Sequence, residues 1–304
     1  LNIQGMTLGK LNRHEAAVQV FQQIIKTNPE YAEVFINMGN AFYDKEDLDS
    51  CLDCYAKALN IKPDQSEWAL YVIEALTGHT PKKKILHPII LGNDAIKKTF
   101  CKFKQSKPIA DRDVIEVFFK CEKIVKDYKI EMIYPRTQIY RRNTKDLNCK
   151  RHQKIFCQHN IVPEFCFSCY KVQIEPKTVM SLIKLSFIFD HLKLPNNNIR
   201  KCLVELRTNV AGFYKGLIYC SKLQEAYQVA DYLDNVIKRS IGFGMRIRVK
   251  RGCSEYSLSF PNYGEVNDTD HQLMTYNRDW KVVEDEYDRL HPIRLNTQIK
   301  TLQG

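Results

Sequence analysis

The sequence predicts a multidomain α and α+β protein, with stacked helix pairs leading into a sandwich of order β-α-β-β-α-β. Three observations predict it. Residues recur at a spacing of 34 over the first quarter of the chain. Beyond residue 170 the apolar period alternates between about 2 and about 3.6, the strand and helix values. The charge is also uneven. Residues 1–79 hold six Lys/Arg against eleven Asp/Glu, whereas the remainder holds 40 against 24.

The repeat is anchored on Pro29 and Pro63. Aligning them superimposes Gly5 on Gly39, Ala17 on Cys51, Phe21 on Tyr55 and Ile24 on Ala58. Two antiparallel helices closed by a proline turn give such a period, because neither buries its apolar face until the next unit stacks on it. In the second unit the helices are expected over 31–44 and 47–60. Gly39 and the small Cys51 let them approach closely. Phe35, Met38, Gly39, Phe42, Cys51, Tyr55, Ala58 and Pro63 stand at the offsets of the tetratricopeptide consensus, and the segment resembles that family. Residues 66–77 read as a capping helix. The first unit is short of its leading helix and the chain opens at Leu1 inside a repeat, so further repeats are expected upstream.

The resemblance implies a protein-binding groove lined by the first helix of each pair. Asn37, Asn40, Ala41 and Asp44 are its expected contacts, and a partner's peptide or helix its expected occupant. Cys51 and Cys54 have metal-like spacing, but both fall on the second helix and read as core.

Residues 78–136 read as a basic linker with a helical connector. Pro, Gly and a Lys cluster fill 78–110, and Val114, Val117, Phe118, Cys121, Ile124 and Val125 mark a helix over 111–128. Thr137–Arg142 is strand-like. The Cys/His-rich segment 137–169 carries Cys149 and His152, then Cys166 and Cys169. Three thiolates and an imidazole are a common structural zinc set, so zinc is the expected cofactor. The same residues also fit a packing role at the start of the sandwich, or an iron–sulfur or redox role.

In the domain 170–262, strands are expected at 170–175, 200–207, 214–220 and 245–250. Helices are expected from Thr178, as N-cap, to about 192 and over 223–241. That order is the ferredoxin-like arrangement, a four-stranded antiparallel sheet with both helices on one face. Alternation puts Met245, Ile247 and Val249 under the helices and Arg246, Arg248 and Lys250 on the other face. Lys171, Gln173, Lys201, Glu205 and Arg207 join that face. Such a surface suits a nucleic-acid backbone, although Tyr214–Tyr219 offers few outward aromatic rings for stacking bases. Cys253 follows Lys250 and Arg251, and cations beside a thiol can make it reactive. The tail 263–304 is polar, with a short helix over 280–290.

Eleven cysteines, an odd and clustered set, point to a reducing, cytoplasmic setting rather than a disulfide framework. No apolar run approaches the roughly 20 residues that span a bilayer. The preferred function is a protein–protein adaptor. Nucleic-acid binding through the basic face is the alternative, and a transferase-type enzyme is the third reading, although no known catalytic motif is present.

Overall fold

The computed structural model describes residues 1–100, 108–131, 137–143, 145, 147–208, 210–266 and 273–291. The chain divides into two compact units. The first holds α1 (Asn2–Lys10), α2 (His14–Thr27), α3 (Ala32–Asp44), α4 (Leu48–Ile61), α5 (Ser66–Gly78), α6 (Pro88–Phe100) and most of α7 (Asp111–Asp127).

The repeat is visible in the backbone as well as in the residues. Asn12 and Glu46 both take positive φ, 61° and 62°, at the ends of α1 and α3. Arg13 N–H donates to the Leu8 carbonyl and Asp47 N–H to the Phe42 carbonyl, at 2.9 and 3.0 Å. These are the long-range bonds of a Schellman ending, which satisfies carbonyls that the helix leaves open. Asp47 then caps α4 through Ser50 N–H at 3.2 Å. Inside each pair, a Cβ on Gly5 would run into the Phe21 ring, and one on Gly39 into the Tyr55 ring. The glycines let the two helices close on an aromatic side chain. Cys51 and Cys54 are buried here with Ala17, Phe35 and Leu52, and burial pushes both thiols up to about 12.

The expected linker holds a further helix. Between Pro88 and Phe100, Ile90 is buried against the repeat core and Ile89 packs beside it. The Lys and Gly content of 78–110 masked this short apolar face. Residues 101–107 of that stretch lie outside the described residues.

The second unit is built on β1 (Gln138–Arg142), α8 (Cys149–His159), β2 (Tyr170–Glu175), α9 (Val179–His191), β3 (Arg200–Val204), β4 (Tyr214–Cys220), α10 (Leu223–Ser240) and β5 (Arg246–Arg251). It continues through α11 (Ser254–Ser259), α12 (Pro261–Gly264) and α13 (Trp280–Leu290). The described strands form one antiparallel sheet of order β1-β3-β4-β2-β5. Thr178 caps α9, accepting from Ser181 N–H at 3.1 Å. Gly242 and Gly244 take positive φ after α10, at 125° and 95°. Gly216 lies under α9, where a Cβ would meet Leu185 Cδ2 at 2.5 Å. Its register partners Ile174 and Cys202 share that face, with Val172 and Ile218.

Three features differ from expectation. The strand 137–142 is not isolated but edges the sheet beside β3. The segment 149–169 is mainly helical: α8 is followed by a 3₁₀ turn, Glu164–Ser168. The polar region after 263 is fastened to it. Arg151 on α8 makes a bidentate contact with Asp288 at 2.6 and 2.7 Å and reaches Glu284 at 2.9 Å. Glu284 also accepts from Glu164 N–H and from Tyr276. The partners that join α8 and the 3₁₀ turn to α13 lie more than 100 residues apart in sequence, so no local pattern announces them. Residues 292–304 lie outside the described residues. No described helix is long and apolar enough to cross a membrane.

Candidate functional site

The sheet face turned away from α9 and α10 collects the cations. Register sets Lys250 beside Lys171 and Lys171 beside Tyr219. In the next row Arg248 lies beside Gln173, Gln173 beside Leu217, and Leu217 beside Lys201. The expected face is therefore present, but it is not open. Leu147 and Phe165 pack with Cys169, Ile199, Leu217 and Tyr219 over its centre. Lys171 is 4% exposed and Gln173 1%. The cover comes from the loop before α8 and the turn before β2, which strand alternation cannot reveal. Arg246 and Arg248 remain exposed and Lys250 is half-buried.

β3 ends at Val204, short of the expected strand. Glu205 turns inward just past it and accepts from Arg207 Nε at 2.8 Å, Arg207 Nη2 at 2.7 Å and Lys215 Nζ at 3.3 Å. Arg207 also pairs with Glu255. The Arg207 hydrogen bonds hold the Glu205 carboxyl down at about 2, against the opposing effect of burial. Because the folded-state value lies below the unfolded one, Glu205 stabilises the fold fully above about pH 5, and the contribution disappears as pH falls toward 2. We expect Glu205→Gln to lower the thermal midpoint at pH 7 and to lose most of that deficit near pH 2.5. An equal deficit at both pH values would contradict the assignment.

Arg248 pairs with Glu175 at 3.1 Å. Among the described residues, Lys171, Lys201 and Lys250 form no ion pair with a carboxylate. Lys171 Nζ instead donates to Cys253 Sγ at 3.2 Å, and stands 5.0 Å from the Tyr219 ring centre. Lys201 Nζ lies 5.6 Å from the same ring centre. Lys250 Nζ donates to Ser254 Oγ at 2.7 Å. Burial, with Lys171 beside it, brings the Lys250 amine down to about 7.

The expected zinc ligands are spread over α8, the 3₁₀ turn and the residue before β2. Cys149 is exposed at the start of α8. His152 is buried and stacks on Phe165, 5.1 Å between ring centres. Cys166 donates to Tyr256 Oη at 3.7 Å within an aromatic cluster, and Cys169 sits in the cover of the sheet. Among the described residues, no group of three or more His, Cys, Asp or Glu side chains could hold a metal ion. As arranged, the four side chains do not fit a metal.

In the repeats, Asn40 and Asp44 are exposed on α3, while Asn37 is half-buried and donates to Asn2 Oδ1 at 3.1 Å. Asn40 Oδ1 accepts from Tyr55 Oη at 2.7 Å. Ala41 is 4% exposed and lies in the core, so it offers a partner no surface. The small side chain expected in a groove is spent on helix packing.

Residues 10–71 match the tetratricopeptide repeat family. This part of the chain is a tetratricopeptide-repeat segment, and the match stops before the sheet unit. No curated protein and no solved structure matches the chain.

Proposed function

We propose that the chain is a protein–protein adaptor whose repeats hold a segment of a partner protein. The observation that carries this reading is the tetratricopeptide match over α2, α3 and α4, with polar side chains exposed on the first helix of the second pair. Repeats of this kind present extended concave surfaces on which chains dock. The sheet unit is the second half of the adaptor, and a reducing cytoplasmic setting suits its cysteines, which form no disulfide among the described residues. Its strand order, β3-β4-β2-β5 with α9 and α10 on one face, supports a ferredoxin-like module extended by β1. Affinity purification of the full chain beside an Asn40→Lys/Asp44→Lys variant tests the adaptor reading.

A second reading rests on a different observation. The exposed Arg246 and Arg248 lie two residues apart on β5, which suits weak, salt-dependent contact with nucleic-acid phosphates. The cover over Lys171 and Leu217 leaves little of the sheet open to stacked bases, so the adaptor reading is preferred.

A further inference from the structure

The motif Lys250-Arg251-Gly252-Cys253 gains its meaning from residues distant in sequence. Lys171 comes from β2, 82 positions away, and places its ammonium 3.2 Å from Cys253 Sγ. Lys171 is almost wholly buried, and a buried ammonium needs a compensating partner. Among the described residues, the sulfur is the hydrogen-bond acceptor it has. Cys253 itself keeps partial exposure. Gly252 holds the approach: its φ is +56°, and a Cβ there would collide with the Tyr263 ring. Its N–H donates to the Cys169 carbonyl at 2.7 Å. The thiol is thus set on a fixed turn beside an enclosed cation.

We infer that Cys253 is a nucleophilic thiolate, paired with Lys171, that accepts a carbon electrophile carrying an adjacent anionic group such as a carboxylate or phosphate. In the step, the Sγ electron pair forms the S–C bond. The bond from that carbon to its leaving group breaks, and the leaving group departs with the bonding pair. No oxidant takes part. Lys201 supplies the preference for an anion, since no carboxylate among the described residues neutralises it, and Lys250 adds to that preference below about pH 7, where its amine carries charge.

The groups acting on Cys253 agree with this role. Burial alone would raise its thiol, but Lys171, Lys250 and Lys201 outweigh it and hold the thiol below the ordinary cysteine value. Arg207 adds positive charge from beyond β3. Cys149 and Tyr219 also act on Lys171, and Glu255 pairs with Arg207. Cys166, Cys169, Tyr256 and Tyr263 are further titratable neighbours. Burial raises all four, so they stay neutral where Cys253 is charged.

The test is alkylation of the folded full chain by iodoacetate and by iodoacetamide, with each cysteine followed by peptide mass spectrometry from pH 6 to 9 at low salt. An ordinary thiol slows about tenfold per pH unit below its pKa of about 8.5. We expect Cys253 to lose less than about threefold between pH 8 and pH 7 on that scale, and to react at least as fast with iodoacetate as with iodoacetamide. Free N-acetylcysteine in the same sample serves as the ordinary thiol, and the exposed Cys157 is followed beside it. Lys171→Met should restore the ordinary pH dependence at Cys253. Because that change is buried, Lys250→Gln is a second variant, expected to reduce the preference for iodoacetate several-fold at pH 6, where the Lys250 amine is charged, while the chain stays folded. Cys253 reacting with the pH slope of N-acetylcysteine, and no faster than it at pH 7, would overturn the inference. So would a preference for the neutral reagent, or an anion preference at pH 6 that is unchanged in Lys250→Gln. The outcome is independent of whether the repeats bind a protein.

Discussion

Arg151→Ala should unfold the sheet unit at markedly lower denaturant than the native chain, with a loss of about 3–5 kcal/mol. The Arg151 side chain is 12% exposed and that of Glu284 4%. Removing the guanidinium leaves the Glu284 carboxylate buried with, among the described residues, the Glu164 N–H and the Tyr276 hydroxyl as its remaining donors. An uncompensated buried charge costs far more than a surface ion pair contributes. Arg151→Lys keeps the charge but cannot reproduce the two-pronged contact with Asp288, so it should recover only part of the loss. The check is chemical denaturation of each variant, read by tryptophan fluorescence, since Trp280 opens α13. If Arg151→Ala costs less than about 1 kcal/mol, α13 is held by apolar contacts alone.

Gly39→Ala should destabilise the repeats by about 1–3 kcal/mol, the range for overpacking. At an open helical site the same exchange is favourable, because Ala is the better helix former by up to about 1 kcal/mol. Here the added methyl falls on the Tyr55 ring. Moving that ring also disturbs its bond to Asn40 and its contact with Tyr71, 5.7 Å between ring centres. Gly9 gives the internal control, since a Cβ there meets nothing within 4 Å. Gly9→Ala should be neutral or slightly stabilising. The opposite signs are measured by thermal unfolding followed by circular dichroism. Equal effects at the two glycines would mean that the helix pair does not close on Tyr55.

What was legible in the sequence follows the range of the interactions involved. The 34-residue period survives because each repeat packs on its neighbour, so Gly5 and Phe21 return as Gly39 and Tyr55. Strand and helix order after residue 170 was legible because alternation and capping are local: Thr178 caps α9 as its position suggests. The sheet cover was hidden. Leu147 and Phe165 belong to no periodic segment, yet they pack on Leu217 and Tyr219, in the rows that hold the buried Gln173 and Lys171. The zinc expectation relied on spacing alone, and spacing does not show that Cys166 faces Tyr256 while His152 stacks on Phe165. Cys253 drew attention through its neighbours in sequence, but the group that matters, Lys171, is its neighbour only in the fold.

The adaptor reading is tested most directly by quantitative affinity purification of the full chain, nuclease-treated, beside the Asn40→Lys/Asp44→Lys variant and an Arg246→Ala/Arg248→Ala variant. Each variant is first shown to unfold at the native midpoint. The account predicts a defined set of proteins that survives nuclease, persists in the Arg246→Ala/Arg248→Ala variant, and falls at least several-fold when α3 is altered. Proteins retained in full by the α3 variant, or released by nuclease and lost from the β5 variant, would contradict it.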